Sequence, residues 1–204
     1  MTVLSCLRQA LTYDSNPVKQ SYRTLLDFFA SRLRVDPHVP LSIPGAMLEY
    51  LEAALPDMLS DPLWSSPRIE DPLGCLAEEL GVIPDQIVPG AVWDYLDVHA
   101  LPSPRGHLPP LVLDRTCGVG RKLVGAYFLY GDQALYAGCE QHSTAFRIAT
   151  CNMKLYDMSA RILWSRHAFI DTSIGSHDWG WANQWTIPKM AVLGQRYIPD
   201  VERG

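Results

Sequence analysis

Leu111-Val112-Leu113-Asp114-Arg115-Thr116-Cys117-Gly118-Val119-Gly120 is the stretch that decides how the rest of the chain reads. Leu111 to Leu113 is a short apolar run suited to a parallel strand buried on both faces, and Asp114 ends it. Gly118 to Gly120 predicts a turn, and the spacing from Leu123 to Tyr130 predicts a helix. A buried strand that delivers an acidic residue into a glycine turn and then a helix is the geometry of nucleotide-cofactor sites in doubly wound sheets. Glycine lets the backbone approach a ligand, and the N–H groups at the helix start face it. Glycine turns also form for packing alone, so the motif needs support from elsewhere in the chain.

That support lies downstream. Ala134 to Cys139 predicts a second strand, Thr144 to Tyr156 a second helix, and Ala160 to Trp164 a third strand. Glu140 falls at the end of the second strand, ~20 residues past the glycine turn, where a carboxylate can accept hydrogen bonds from both hydroxyls of a ribose. The plainer reading of Glu140 is a solvated loop carboxylate. A dinucleotide fingerprint places its third glycine three positions after the second; that position is Leu123, and the next glycine is Gly125. Nicotinamide dinucleotides therefore fit less well than other nucleotide cofactors.

Upstream, the pattern is helical. Tyr22, Leu25, Leu26, Phe28, Phe29 and Leu33 recur at three- and four-residue steps and predict a helix from Val18 to Leu33, with Ser15 and Asn16 as cap residues before Pro17. A second helix is expected after Ile43-Pro44, carrying Met47, Leu48, Leu51 and Leu55 until Pro56 interrupts it. Asp61 to Pro72 reads as a loop, and shorter helices are expected near Leu73 to Leu80 and Pro89 to Val98, with a turn at Gly81 to Val88. Leu101 to Pro110 holds Pro102, Pro104, Pro109 and Pro110 and reads as a linker. The expected organisation is a helical region over 1–100, a linker over 101–110 and a cofactor domain over 111–204, the first sixty residues serving as a helical cap.

Composition narrows the function classes. Of 204 residues 48% are hydrophobic and 19% charged, which is the balance of a folded chain able to bury a core. The net charge of -5 disfavours unaided grip on nucleic acid, because such grip needs a basic surface that displaces counterions from phosphates. Arg115, Arg121 and Lys122 cluster near the turn, too few for a phosphate track. Five cysteines without a CxxC pair fit reduced thiols, and the N-terminal stretch lacks the pattern of a secretory leader, so a cytoplasmic protein without a membrane span is expected. His142, His167 and His177 lack ligand spacing, so no metal is expected.

The stretch Leu113 to Gly120 resembles the first motif of the S-adenosylmethionine-dependent adenine-N6 DNA methylases of the type I restriction-modification sort, which commonly reads Asp-Pro-Ala-Cys-Gly-Ser-Gly. Upstream, Leu73-Gly74 with Glu78, then Gln86, Val88-Pro89 and Val92, is similar to the helical approach of that family. Downstream, Tyr136-Ala137-Gly138-Cys139-Glu140 followed by Ala145, Arg147, Ala149 and Asn152 resembles its second strand, acidic residue and next helix. The resemblance spans about Pro72 to Pro188. It implies an α/β fold, with a shortened Rossmann-like class I methyltransferase sheet behind an N-terminal helical region. It also implies that Asp114, Gly118 and Gly120 hold the methionine part of S-adenosylmethionine and Glu140 its ribose, with Thr116 and Cys117 also at the cofactor and Val88 and Pro89 as weaker candidate contacts.

The chain departs from the family at several positions. Arg115 stands for the usual proline and Val119 for a small hydroxyl residue, and Ser165-Arg166-His167 follows the third strand where the family has an acid for the adenine of the cofactor. The catalytic Asn-Pro-Pro-Tyr/Phe segment has its best counterpart in Trp181-Ala182-Asn183-Gln184-Trp185-Thr186, which keeps the asparagine. An adenine amino nitrogen is a poor nucleophile until both its hydrogens are accepted and the flipped base is held. Asn183 and the carbonyl of Gln184 are the candidate acceptors, and Trp185 or Trp181 the stacking ring. The competing reading of this Trp-rich segment is a packing or partner surface. The resemblance implies DNA as substrate, reached through a separate specificity subunit. A non-catalytic regulatory subunit and a nicotinamide-dependent enzyme remain as alternatives.

Overall fold

In the computed structural model, residues 2–35, 42–66, 70–83, 97–99, 111–114 and 116–164 are described, and the chain divides into two compact units, Met1–Ile87 and Val88–Gly204. The expected linker over 101–110 lies outside the described residues.

The first unit is helical in its described residues: α1 (Val3–Leu11), α2 (Val18–Arg32), α3 (Gly45–Leu59) and α4 (Pro72–Glu79), with a short 3-10 turn at Pro62–Ser65. The sequence reading assigned no element to α1, yet its signals are local. Thr2 accepts a hydrogen bond from the Ser5 N–H, and Val3, Cys6, Leu7 and Ala10 form one buried stripe. α1 packs against the other three helices. Tyr22 on α2 is fully buried and its hydroxyl donates to the Leu73 carbonyl at 2.8 Å, fixing α2 to the start of α4.

Two local expectations are corrected here. Pro56 sits inside α3 rather than ending it. It falls in the last turn, where its missing N–H removes one bond and its carbonyl still accepts from the Ser60 N–H at 3.1 Å. Ser15 and Asn16 do not cap α2; its N-cap is Pro17, without a side-chain cap bond. Asp14 closes the approach instead, accepting from the Asn16 N–H at 2.9 Å.

The second unit is mixed α/β: β1 (Asp97–His99), β2 (Leu111–Asp114), α5 (Arg121–Tyr130), β3 (Leu135–Glu140), α6 (Ser143–Leu155) and β4 (Arg161–Trp164). β2, β3 and β4 are parallel and adjacent in chain order, and β1 pairs antiparallel with the other side of β2. α5 packs on β2 and β3, α6 on β3 and β4, and the two helices touch. Strand β3 is buried from Leu135 through Cys139, as befits a parallel strand covered on both faces.

The strands from β2 onward follow the sequence reading to within a residue, and α5 begins two residues earlier than expected. β1 corrects that reading. Asp97 and Val98 were expected to end a helix begun at Pro89, and they belong to a strand. A three-residue strand is too short for periodicity to reveal; its ladder partners Leu111, Val112 and Leu113 define it.

Candidate functional site

Hydrogen bonds from within and from neighbouring elements hold the turn between β2 and α5. Asp114 Oδ1 accepts from the Thr116 N–H at 3.1 Å, and the Gly120 N–H donates to the Cys117 carbonyl at 2.8 Å. The Cys117 N–H donates to the Cys139 carbonyl at 2.9 Å, stitching the turn to β3, and Asn152 Nδ2 on α6 donates to the Val119 carbonyl at 2.9 Å. Turn, strand and second helix therefore set one another.

Gly118 and Gly120 both have positive φ, 55° and 88°, which a side chain would strain. Gly120 has a second requirement. A Cβ there would lie 2.7 Å from Met153 Cε and 3.5 Å from Ala149 Cβ, so its bareness serves the packing of α6. Gly138 in the middle of β3 plays the matching part on the strand side. A Cβ there would meet Cys117 Cβ, Cys117 Sγ and Leu123 Cδ1, each at 2.9 Å. Leu123, at the position where a dinucleotide fingerprint has its third glycine, is fully buried. The close approach of helix and strand is thus made with the bulk on the helix and the glycine on the strand, the reverse of that fingerprint. The sequence reading assigned Gly138 no role of its own, although a glycine inside a strand marks close approach.

Glu140 turns toward the bend. Its Oε2 accepts from the Gly118 N–H at 2.9 Å and its Oε1 from the His142 N–H at 2.6 Å. His142 in turn caps α6, its Nδ1 accepting from the Ala145 N–H at 3.4 Å. The carboxylate is part-buried at the carboxyl end of β3, beside the start of α5.

Asp114 is enclosed, 1% exposed, with Oδ2 lacking a hydrogen-bond partner and 3.7 Å from Lys122 Nζ. That separation allows an ion pair but not a hydrogen bond. Burial pushes the Asp114 carboxyl above its ordinary range, against the pull of the Lys122 ammonium and the Thr116 N–H. Cys117 is buried as well, and burial, with Asp114, Glu140 and Cys139 nearby, raises its thiol well above the usual value. It is a packing residue under the turn and not a thiolate nucleophile. Thr116 is exposed.

The structure therefore brings together Asp114, Thr116, Cys117, Gly118, Gly120 and Glu140. Pro89, Val88, Asn183, Trp185, Trp181, Gln184 and the segment Ser165-Arg166-His167 lie outside the described residues. Among the described residues no group of three or more His, Cys, Asp or Glu could hold a metal ion, and no helix is long and apolar enough to cross a membrane. Compared with protein-family models, curated proteins and solved structures, the chain matches none.

Proposed function

We propose that the second unit binds S-adenosylmethionine at the turn after β2 and that the protein is a methyltransferase of the adenine-N6 DNA methylase type. The observation that carries this reading is the hydrogen bond from the Gly118 N–H to Glu140, which sets a carboxylate against a glycine turn at the carboxyl ends of parallel strands. Each Glu140 oxygen accepts one backbone N–H and keeps a second lone pair, so two acceptors remain for the two hydroxyls of a ribose. Asp114, Thr116, Cys117, Gly118 and Gly120 would shape the turn that receives the methionine half, Asp114 acting through Thr116, with Pro89 as a further contact. Asn183 would accept one hydrogen of the adenine amino group, the Gln184 carbonyl the other, and Trp185 would stack on the flipped base. The net charge of -5 leads us to assign most of the DNA contact to a separate specificity subunit.

Isothermal titration of the full chain with S-adenosylmethionine, followed by an assay of tritium transfer to DNA, tests both halves of the reading. Saturable binding and transfer are expected. Binding without transfer would keep the cofactor site and remove the enzyme, and no binding would remove both.

A second reading, a non-catalytic regulatory or interaction subunit derived from such a methylase, is favoured by β1. It covers the edge of β2 along which a doubly wound sheet continues with a further parallel strand. Retention of a host methylase in a pull-down, with no transfer by the chain itself, would select this reading.

A further inference from the structure

One aromatic side chain beside the turn has no part in the reading above. Trp164, the last residue of β4, is 48% exposed, and it is paired in register with Glu140 on the neighbouring strand. Side chains at paired positions of adjacent parallel strands rise on the same side of the sheet, from backbones about 4.8 Å apart. Trp164 and Glu140 are therefore neighbours at the carboxyl ends of β3 and β4.

Two contacts hold the indole in place. Its Nε1–H donates to the Gln141 carbonyl at 3.1 Å, and its ring stacks on Phe146 of α6 at 6.4 Å between centroids and 30° between planes. Phe146 is buried, 7% exposed, so the ring is anchored on the core where the two rings meet. A large apolar ring held by two contacts and still about half exposed loses little conformational freedom when a second ring lies on it. The carboxylate next to it keeps one acceptor lone pair on each oxygen. A planar ring joined to a vicinal diol, which is a nucleoside, answers both features at once.

We infer that the exposed part of the Trp164 ring is the stacking platform for the base of the nucleoside whose ribose hydroxyls Glu140 accepts. This inference rests on the cofactor reading of Glu140 and adds the base-holding residue to it. It also supplies a holder for the base that does not depend on an acidic side chain after β4.

The test is titration of the full chain with adenosine, with methionine and with S-adenosylmethionine, for the wild type, W164F and W164A. Adenosine is expected to bind the wild type. W164A is expected to weaken adenosine and S-adenosylmethionine about tenfold or more, the range found when a ring that stacks on a base is cut to alanine. W164F keeps a ring and should retain most of the affinity, but lose the share of the adenosine-induced quenching of tryptophan fluorescence that Trp164 contributes in the wild type. Undiminished binding of adenosine and S-adenosylmethionine by W164A, or quenching in W164F as large as in the wild type, overturns the inference and leaves the cofactor reading in place. Failure of the wild type to bind either adenosine or S-adenosylmethionine overturns both.

Discussion

The Gly118 N–H donates to Glu140 Oε2 at 2.9 Å, tying the bend after β2 to the end of β3 through a charged acceptor. A second backbone donor, the His142 N–H, takes the other oxygen, so both oxygens hold backbone in place. Glutamine has one acceptor oxygen and would set its amide N–H₂ against one of these two donors. E140Q is therefore expected to lose about 1 to 3 kcal/mol of stability. Urea unfolding followed by near-ultraviolet circular dichroism measures it, and an unchanged midpoint and slope would contradict the geometry.

Gly138 and Leu123 make a second prediction. G138A adds a methyl group 2.9 Å from Cys117 and Leu123 and should cost about 1 to 3 kcal/mol by overpacking. L123A alone opens a cavity at a fully buried site and should cost about 2 to 5 kcal/mol. Because the new methyl occupies part of the space the leucine leaves, the double variant should be less destabilised than the sum of the two. Strict additivity in a double-mutant cycle would show that the residues do not share this space.

Asn152 reaches from α6 to the Val119 carbonyl at 2.9 Å and is 1% exposed. N152A leaves that carbonyl without its donor in a buried place, and a loss of about 1 to 3 kcal/mol is expected. Hydrogen exchange should show the amides of the turn and the first turn of α5 losing protection more than those of β3, if the side chain holds the turn as the geometry indicates.

Asp114 gives a pH dependence whose sign follows from burial. Its folded-state pKa is raised above the ordinary 3.8, so folding takes up a proton in the window between the two values. The contribution of this group to stability is largest when it is protonated in both states, and it falls as pH rises from about 3.8 through the raised value. D114N keeps an oxygen for the Thr116 N–H and has no charge to desolvate. The stability of the wild type relative to D114N should therefore decline across that window. A difference that is flat with pH would show that Lys122 balances the burial, and one that grows in favour of the wild type that Lys122 outweighs it.

Cysteine chemistry separates surface from core. Cys75 is exposed, whereas Cys6, Cys117, Cys139 and Cys151 are buried, and none of the five is in a disulfide. An aromatic disulfide reagent should react first with one thiol per chain, and C75S should abolish that phase. The remaining thiols should appear only with denaturant. Rapid labelling of Cys117 in the folded chain would mean that the turn opens readily.

The amount of structure legible in the sequence differs between regions for physical reasons. β2, β3, β4, α5 and α6 were readable because buried parallel strands are continuous apolar runs and amphipathic helices repeat at a fixed step. α1 carries a capping threonine and an apolar stripe of the same kind, although the sequence reading assigned no element to those residues. β1 offered no such signal, because its state is set by pairing with β2 and not by its own three residues. In the candidate site, Asp114, Gly118, Gly120 and Glu140 announced themselves by residue type and spacing. Gly138 and Trp164 did not, since what matters about them is the neighbour each one meets.

The sequence alone determined the order of strand, glycine turn, helix and strand, and the presence of an acid after the second strand, since these depend on periodicity and turn chemistry within a few residues. Tertiary structure decided which backbone N–H that acid meets, that Leu123 needs a glycine opposite it on β3, and that an exposed indole stands next to Glu140. Each of these is fixed by the register of strands distant in the chain, and register is a property of the packed sheet, to which no single segment holds the information.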